Sequence, residues 1–151
     1  PREDLCGNDV GRKLLILARE LDLQNEFEEI SIQNLIPEHL REGSAADFLT
    51  KLKEFDPIYE KIKQDQKPNH VLRYIGELSG DLQNDKGNLE VKLVSVPSDT
   101  ALGGLKGSDS FFEIYTESYG DRPIVIQGAG AGSAVTARGV FGDILRLSDK
   151  G

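Results

Sequence analysis

Val125-Ile126-Gln127-Gly128-Ala129-Gly130-Ala131-Gly132-Ser133-Ala134-Val135-Thr136 reads as an apolar strand that runs into three alternating glycines and then into a helix. Such a junction bares backbone N–H groups at the positive end of a helix, a setting that suits an anion. It invites comparison with the dinucleotide fingerprint G-x-G-x-x-G, and two features count against it. Ser133 stands where the third glycine belongs. The residues that follow are also too few for the helix and second strand of that unit. Two readings of the glycine run stay open: a tightly packed strand-to-helix turn, or a loop that touches an anion or a cofactor.

The segments around this run lack the pattern of a doubly wound nucleotide fold. Residues 71–78 and 89–96 alternate with a period of two and are expected to pair as a hairpin across the polar stretch 79–88, with Asp85-Lys86-Gly87 as a turn-like cluster. Residues 111–116 and 123–127 read as two more strands, separated from the first pair by the glycine-rich loop 101–107. Toward the N-terminus, Val10, Leu14, Leu17 and Leu21 recur at helical spacing, which predicts a helix over 8–21 with Asn8 or Asp9 as its cap. Residues 27–32 alternate and are expected to form a short strand. Phe48, Leu49, Leu52, Phe55, Tyr59 and Ile62 predict a second helix over 45–63, started near Ser44 or Asp47 and kinked or broken at Pro57. Residues 134–147 read as the last helix. This order lacks the regular strand–helix alternation of a parallel sheet. It predicts one α+β domain over 1–151: a mixed, largely antiparallel sheet with helices on one face and a C-terminal helix after a glycine-rich turn.

Bulk properties narrow the function. With 151 residues the chain fits one domain. A net charge of −8 argues against a nucleic-acid partner, because phosphate backbones need a basic face. No apolar run reaches the roughly eighteen residues of a membrane span. One cysteine, Cys6, excludes an internal disulfide and fits a reducing, cytoplasmic setting. The two histidines, His39 and His70, are too few for a metal site of their own. The chain contains no methionine and no signal peptide, and it opens at Pro1 in what reads as an ordered loop, as expected of a piece of a longer protein.

One further constellation carries chemistry. Asp9 and Lys13 are four apart at the start of the first helix, so they share a face one turn apart. Asp4 precedes them in a loop that Gly7 allows to turn tightly. Two carboxylates and an ammonium in one place suit a small zwitterion. The same spacing also makes an ordinary surface ion pair, which contributes roughly 0.3–0.5 kcal/mol on a helix.

The opening, Pro1-Arg2-Glu3-Asp4-Leu5-Cys6-Gly7-Asn8-Asp9-Val10-Gly11-Arg12-Lys13-Leu14-Leu15-Ile16-Leu17, resembles the signature region of homoserine dehydrogenases, P-R-[DE]-D-L-x-G-x-D-[VA]-x-R-K-x-x-I-L. The end resembles the same family, in Pro123-Ile124-Val125-Ile126-Gln127-Gly128-Ala129-Gly130-Ala131-Gly132, Val135-Thr136-Ala137 and Gly142-Asp143, as do Val71-Leu72-Arg73-Tyr74 and residues 99–107. The likeness covers nearly the whole chain in order and is greatest to the form fused behind an aspartate kinase. It implies an oxidoreductase that interconverts L-homoserine and L-aspartate 4-semialdehyde with NAD or NADP, in threonine and methionine biosynthesis. In that resemblance Lys13 matches the catalytic lysine and Asp9 a substrate-binding carboxylate. Asp4 matches an acidic residue near the amino group of homoserine or ordered water. Gly132 matches a contact near the nicotinamide end of the cofactor, with Gly130 assisting. The strands from Val71 onward match the region through which family members pair into dimers. Glu3 and Cys6 are mild departures from the pattern. The family's nucleotide-binding half is expected upstream of this chain, so the 151 residues alone are expected to be inactive. No ACT-type regulatory domain is expected after Gly151. A non-catalytic anion-binding module and an oligomerisation domain are the two rival readings.

Overall fold

In the computed structural model, residues 2–82 and 87–148 are described, and the chain divides into two compact units, Pro1–Pro97 and Ser98–Gly151. The first unit begins with two helices, α1 (Arg2–Cys6) and α2 (Asn8–Glu20). A short strand β1 (Ser31–Ile32) follows, then helices α3 (Ala45–Thr50) and α4 (Asp56–Gln64), then the long strands β2 (His70–Ser79) and β3 (Asn88–Pro97). The sheet order is β1-β3-β2. Strands β2 and β3 pair antiparallel from His70 opposite Pro97 to Ser79 opposite Asn88, while β1 adds a short parallel edge at Ser31 opposite Glu90 and Ile32 opposite Val91. The α+β class and the largely antiparallel sheet agree with the sequence reading.

Of the stripe expected on α2, Leu14 enters the core of this unit and Val10 packs against it, whereas Leu17 and Leu21 are exposed. Leu14 and Ala18 pack with Leu23, Ile30, Leu89 and Val91, and Tyr74 and Leu78 border the cluster. Full burial of a leucine or valine side chain stabilises by roughly 1.5–3 kcal/mol. Gly76 sets how closely the helix approaches: a Cβ there would lie 2.9 Å from both Leu14 and Val10. A second cluster gathers Ile36, Leu40, Phe48 and Phe55, with Leu5, Cys6 and Tyr59 against it. The Phe48 ring meets Phe55 edge-on at 5.7 Å, and Phe55 stacks on Tyr59 at 6.2 Å.

Four local expectations are corrected. The opening expected as a loop, with Asp4 in it, is the short helix α1. The cap of α2 is Gly7 in the left-handed conformation, without a side-chain cap; Asp9 is drawn instead to Lys13. The strand expected over 27–32 shrinks to Ser31–Ile32, because Glu26 and Glu29 form a reciprocal capping box that winds Phe27–Glu29 into a single 3-10 turn. The expected break of the 45–63 helix into two is present, as α3 and α4, but it falls at the 3-10 turn Leu52–Phe55, upstream of Pro57. Pro57 falls in the first turn of α4, where its missing N–H leaves no bond unmade. Ser44 caps α3 and exchanges hydrogen bonds with Asp47, and this lowers the Asp47 carboxyl below its ordinary range. In the expected hairpin connection, Asp85 and Lys86 lie outside the described residues. Its last residue, Gly87, is tied by two hydrogen bonds to the buried Asn25, 2.9 Å to its carbonyl and 2.8 Å from its N–H.

The second unit contains an antiparallel pair, β4 (Asp109–Ile114) with β5 (Ile124–Ala129), and the helix α5 (Ser133–Ser148). Phe112 lies opposite Ile126. The expected helix after a glycine-rich turn is present, and the strand continues through Gly128 to Ala129 before the chain turns.

Candidate active site

The three residues singled out at the N-terminus sit on a corner of the first unit. Helix α1 carries Asp4, and α2 carries Asp9 and Lys13 in its first two turns. Between them Gly7 takes φ +82°, a region that side-chain-bearing residues rarely adopt. The Gly7 carbonyl accepts the first helical bond, from Gly11 N–H at 2.9 Å. Lys13 Nζ lies 2.8 Å from Asp9 Oδ2, with side chains 70% and 48% exposed, so this ion pair faces solvent and is open to an incoming molecule. As a surface pair it adds only a few tenths of a kcal/mol to stability. Arg12 reaches Glu3 at 3.7 Å and bridges the same two helices.

The corner has a floor and a clamp. Under Gly7 lie Tyr74 and Ile32: a Cβ on Gly7 would overlap the Tyr74 hydroxyl and stand 2.7 Å from Ile32 Cγ2. The clamp is Arg2, whose guanidinium donates to the carbonyls of Gly43 at 2.7 Å and Ser44 at 2.9 Å and lies over the Phe48 ring at 5.1 Å. Sequence reasoning quoted Arg2 and Tyr74 but assigned neither a task, since their partners lie about forty residues away in the chain (separations of 41 and 42). Cys6 donates from Sγ to the Glu3 carbonyl at 3.2 Å. A groove of about 460 Å³ beside α4, lined by Gln33, Ile62, Gln66, His70, Leu72 and Leu93, includes none of Asp4, Asp9 and Lys13.

The glycine run belongs to the second unit. Gly130 donates its N–H to the Ser108 carbonyl at 3.1 Å, and a Cβ on it would collide with the Ser110 side chain. This glycine is required by close packing. Gly132 differs. Its φ is +129°, a Cβ on it would meet nothing within 4 Å, and its carbonyl accepts from Thr136 N–H at 3.0 Å in the first turn of α5. The backbone there is open, and the leading N–H groups of a helix have no partner within it. That combination fits the polar part of a cofactor approaching the backbone, whereas the Gly130 amide is already engaged.

Comparison with known proteins places the chain in one family. The family profile described as homoserine dehydrogenase matches residues 1–145. The chain is 42% identical to a homoserine dehydrogenase of Paracoccidioides brasiliensis, over 99% of this chain and 40% of that protein. It is 43% identical to a chloroplastic bifunctional aspartokinase/homoserine dehydrogenase of Daucus carota, over 98% of this chain and 16% of that protein. A crystal structure of a Candida auris protein, described as of unknown function, superposes with a TM-score of 0.76 at 38% identity, over 99% of this chain and 41% of the other. The chain therefore spans 40% or less of the length of these two named relatives.

Proposed function

The chain belongs to the homoserine dehydrogenase family, and from that premise we propose that it is the C-terminal catalytic and dimerisation region of an NAD(P)-dependent enzyme interconverting L-homoserine and L-aspartate 4-semialdehyde. The observation that carries this reading is the solvent-facing Lys13–Asp9 pair at 2.8 Å, on the helix that matches the family's signature segment. In reduction of the aldehyde, negative charge builds on the carbonyl oxygen, and Lys13 gives it a proton from Nζ; in oxidation of homoserine, Lys13 takes the hydroxyl proton. Asp9 leaves Lys13 for the substrate ammonium, which relieves Nζ of a competing acceptor and turns it to the substrate oxygen. Asp4, on the other side of Gly7, holds the same ammonium or a water beside it. The bound nicotinamide supplies or receives the hydride.

The residues of the second unit suit a supporting part. Gly132 offers open backbone to the nicotinamide end of the cofactor, and Gly130 sets the turn by packing on Ser110. The long β2–β3 sheet is the surface through which two copies pair, and the setting is cytoplasmic, in keeping with the single free thiol of Cys6.

The test is L-homoserine-dependent reduction of NAD or NADP by the full-length enzyme that contains this chain. We expect turnover with at least one of the two cofactors. Asp9→Asn should raise the homoserine KM by about tenfold or more, the size of a lost charge-assisted hydrogen bond. Absence of homoserine-dependent turnover in the folded enzyme rejects the reading.

A further inference from the structure

We propose that Tyr74 is a positioning residue for the substrate's ammonium group, holding the Gly7 junction between α1, which carries Asp4, and α2, which carries Asp9. The proposal rests on the function proposed above and deepens it. Tyr74 acts through the backbone, by its contacts with Gly7 and the Gln33 carbonyl.

Two restraints on α1 lead back to this side chain. The first is direct. The end of the Tyr74 ring fills the space beneath Gly7, so that a Cβ on Gly7 would overlap its hydroxyl and lie 3.2 Å from its Cζ. The hinge between Asp4 and Asp9 therefore rests on Tyr74. The second runs through the segment 33–35. Tyr74 Oη donates to the Gln33 carbonyl at 2.7 Å, and Gln33 is itself bonded to β3 through its N–H to Val91 O and its Oε1 from Leu93 N–H, both 2.8 Å. Two residues on, Leu35 N–H donates to the Leu5 carbonyl at 2.9 Å, and Leu35 O accepts from Tyr59 Oη at 2.7 Å. Helix α1 is thus held at Leu5 by the strapped segment and at Gly7 by the tyrosine, on both sides of Cys6 and next to Asp4. Burial, with Cys6 and Tyr59 beside it, raises the Tyr74 hydroxyl above its ordinary value, so it remains a donor across the neutral range.

Loss of the hydroxyl leaves the Gln33 carbonyl without this donor and opens a gap under the hinge. The expected consequence is weaker capture of the ammonium with little change in the chemical step, because Lys13 stands farther along α2. The experiment compares the full-length enzyme with its Tyr74→Phe variant. Equilibrium binding of L-homoserine, the KM values for homoserine and cofactor, kcat and thermal unfolding are all measured. We expect the homoserine Kd and KM to rise about fivefold to tenfold, with kcat and the cofactor KM within about twofold. Gly7→Ala should raise the homoserine KM further, and Tyr74→Phe added to it should recover part of that loss, since the new methyl would meet the missing hydroxyl. An unchanged homoserine Kd and KM in Tyr74→Phe, or equal rises for homoserine and cofactor, would overturn the proposal. If the unsubstituted enzyme neither binds nor turns over homoserine, the functional reading itself falls, and the role of Tyr74 with it. If it does both while Tyr74→Phe behaves identically, only the role of Tyr74 falls.

Discussion

Helices α2 and α5 are of comparable length, 13 and 16 residues, yet they are built in opposite ways. Helix α2 carries charge on much of its surface and still buries Gly11, Leu14 and Ala18 against a sheet. Helix α5 is the more apolar of the two and buries none of its residues; Val140, Phe141, Ile144 and Leu145 are all exposed. Every buried hydrophobic side chain among the described residues lies at or before Val91. The contrast separates two ways of shaping a functional segment. The Asp4–Asp9–Lys13 corner is fixed from beneath, by side chains packed under a glycine. The Gly130–Gly132 turn is fixed locally, by the contact of Gly130 with Ser110 and by the first-turn bond of α5.

The sharpest test of this contrast is a pair of truncations. Leu14→Ala should destabilise the chain by about 2–5 kcal/mol in denaturant unfolding, the range for a buried leucine. Phe141→Ala, at a position 61% exposed, should cost no more than about 0.5 kcal/mol although it removes more atoms. Equal costs would break the comparison. Amide hydrogen exchange extends it without mutation: the paired N–H groups of β2 and β3 should be the most protected in the chain, and those of α5 should exchange faster, because most helical stability comes from packing of a face. Slow exchange throughout α5 would contradict the account. A smaller effect is expected at the cap of α3, where Ser44→Ala should lower stability by about 1 kcal/mol.

The smallest effect concerns pH. The Asp47 carboxyl is lowered by hydrogen bonds from the Ser44 hydroxyl and backbone, with Lys51 and Arg2 adding attraction. A carboxyl lowered in the folded state stabilises fully above its ordinary range and loses that contribution as pH falls through the lowered value. NMR titration of Asp47 should therefore find it below an ordinary aspartate, and Ser44→Ala should return it part of the way, since the backbone bond remains. An Asp47 that titrates normally in the unsubstituted chain would remove the capping box as the cause.

How much of this was legible in the sequence depended on the range of the interaction. The β2–β3 pair was readable because the pattern over 71–78 and 89–96 covers most of each ten-residue strand. The break before α4 was readable because a proline inside an apolar helical pattern has few alternatives. The turn at Phe27–Glu29 was misread as strand, since glutamate at position 26 is an unusual capping residue and the alternation of Phe27, Ile30 and Ile32 suits either conformation. At the site, the Asp9–Lys13 pair followed from a spacing of four. The Arg2 clamp onto Gly43 and Ser44, and the Tyr74 floor under Gly7, did not follow, because each joins segments that only the folded chain brings together.

The central claim is that Lys13 moves the proton in a homoserine dehydrogenase reaction, and its most direct test is Lys13→Ala in the full-length enzyme, with turnover and homoserine binding measured together. The account predicts that kcat falls by about a hundredfold or more, the loss expected for a general acid–base group, while homoserine binding changes by less than about threefold. Turnover that survives the substitution at full rate would contradict it.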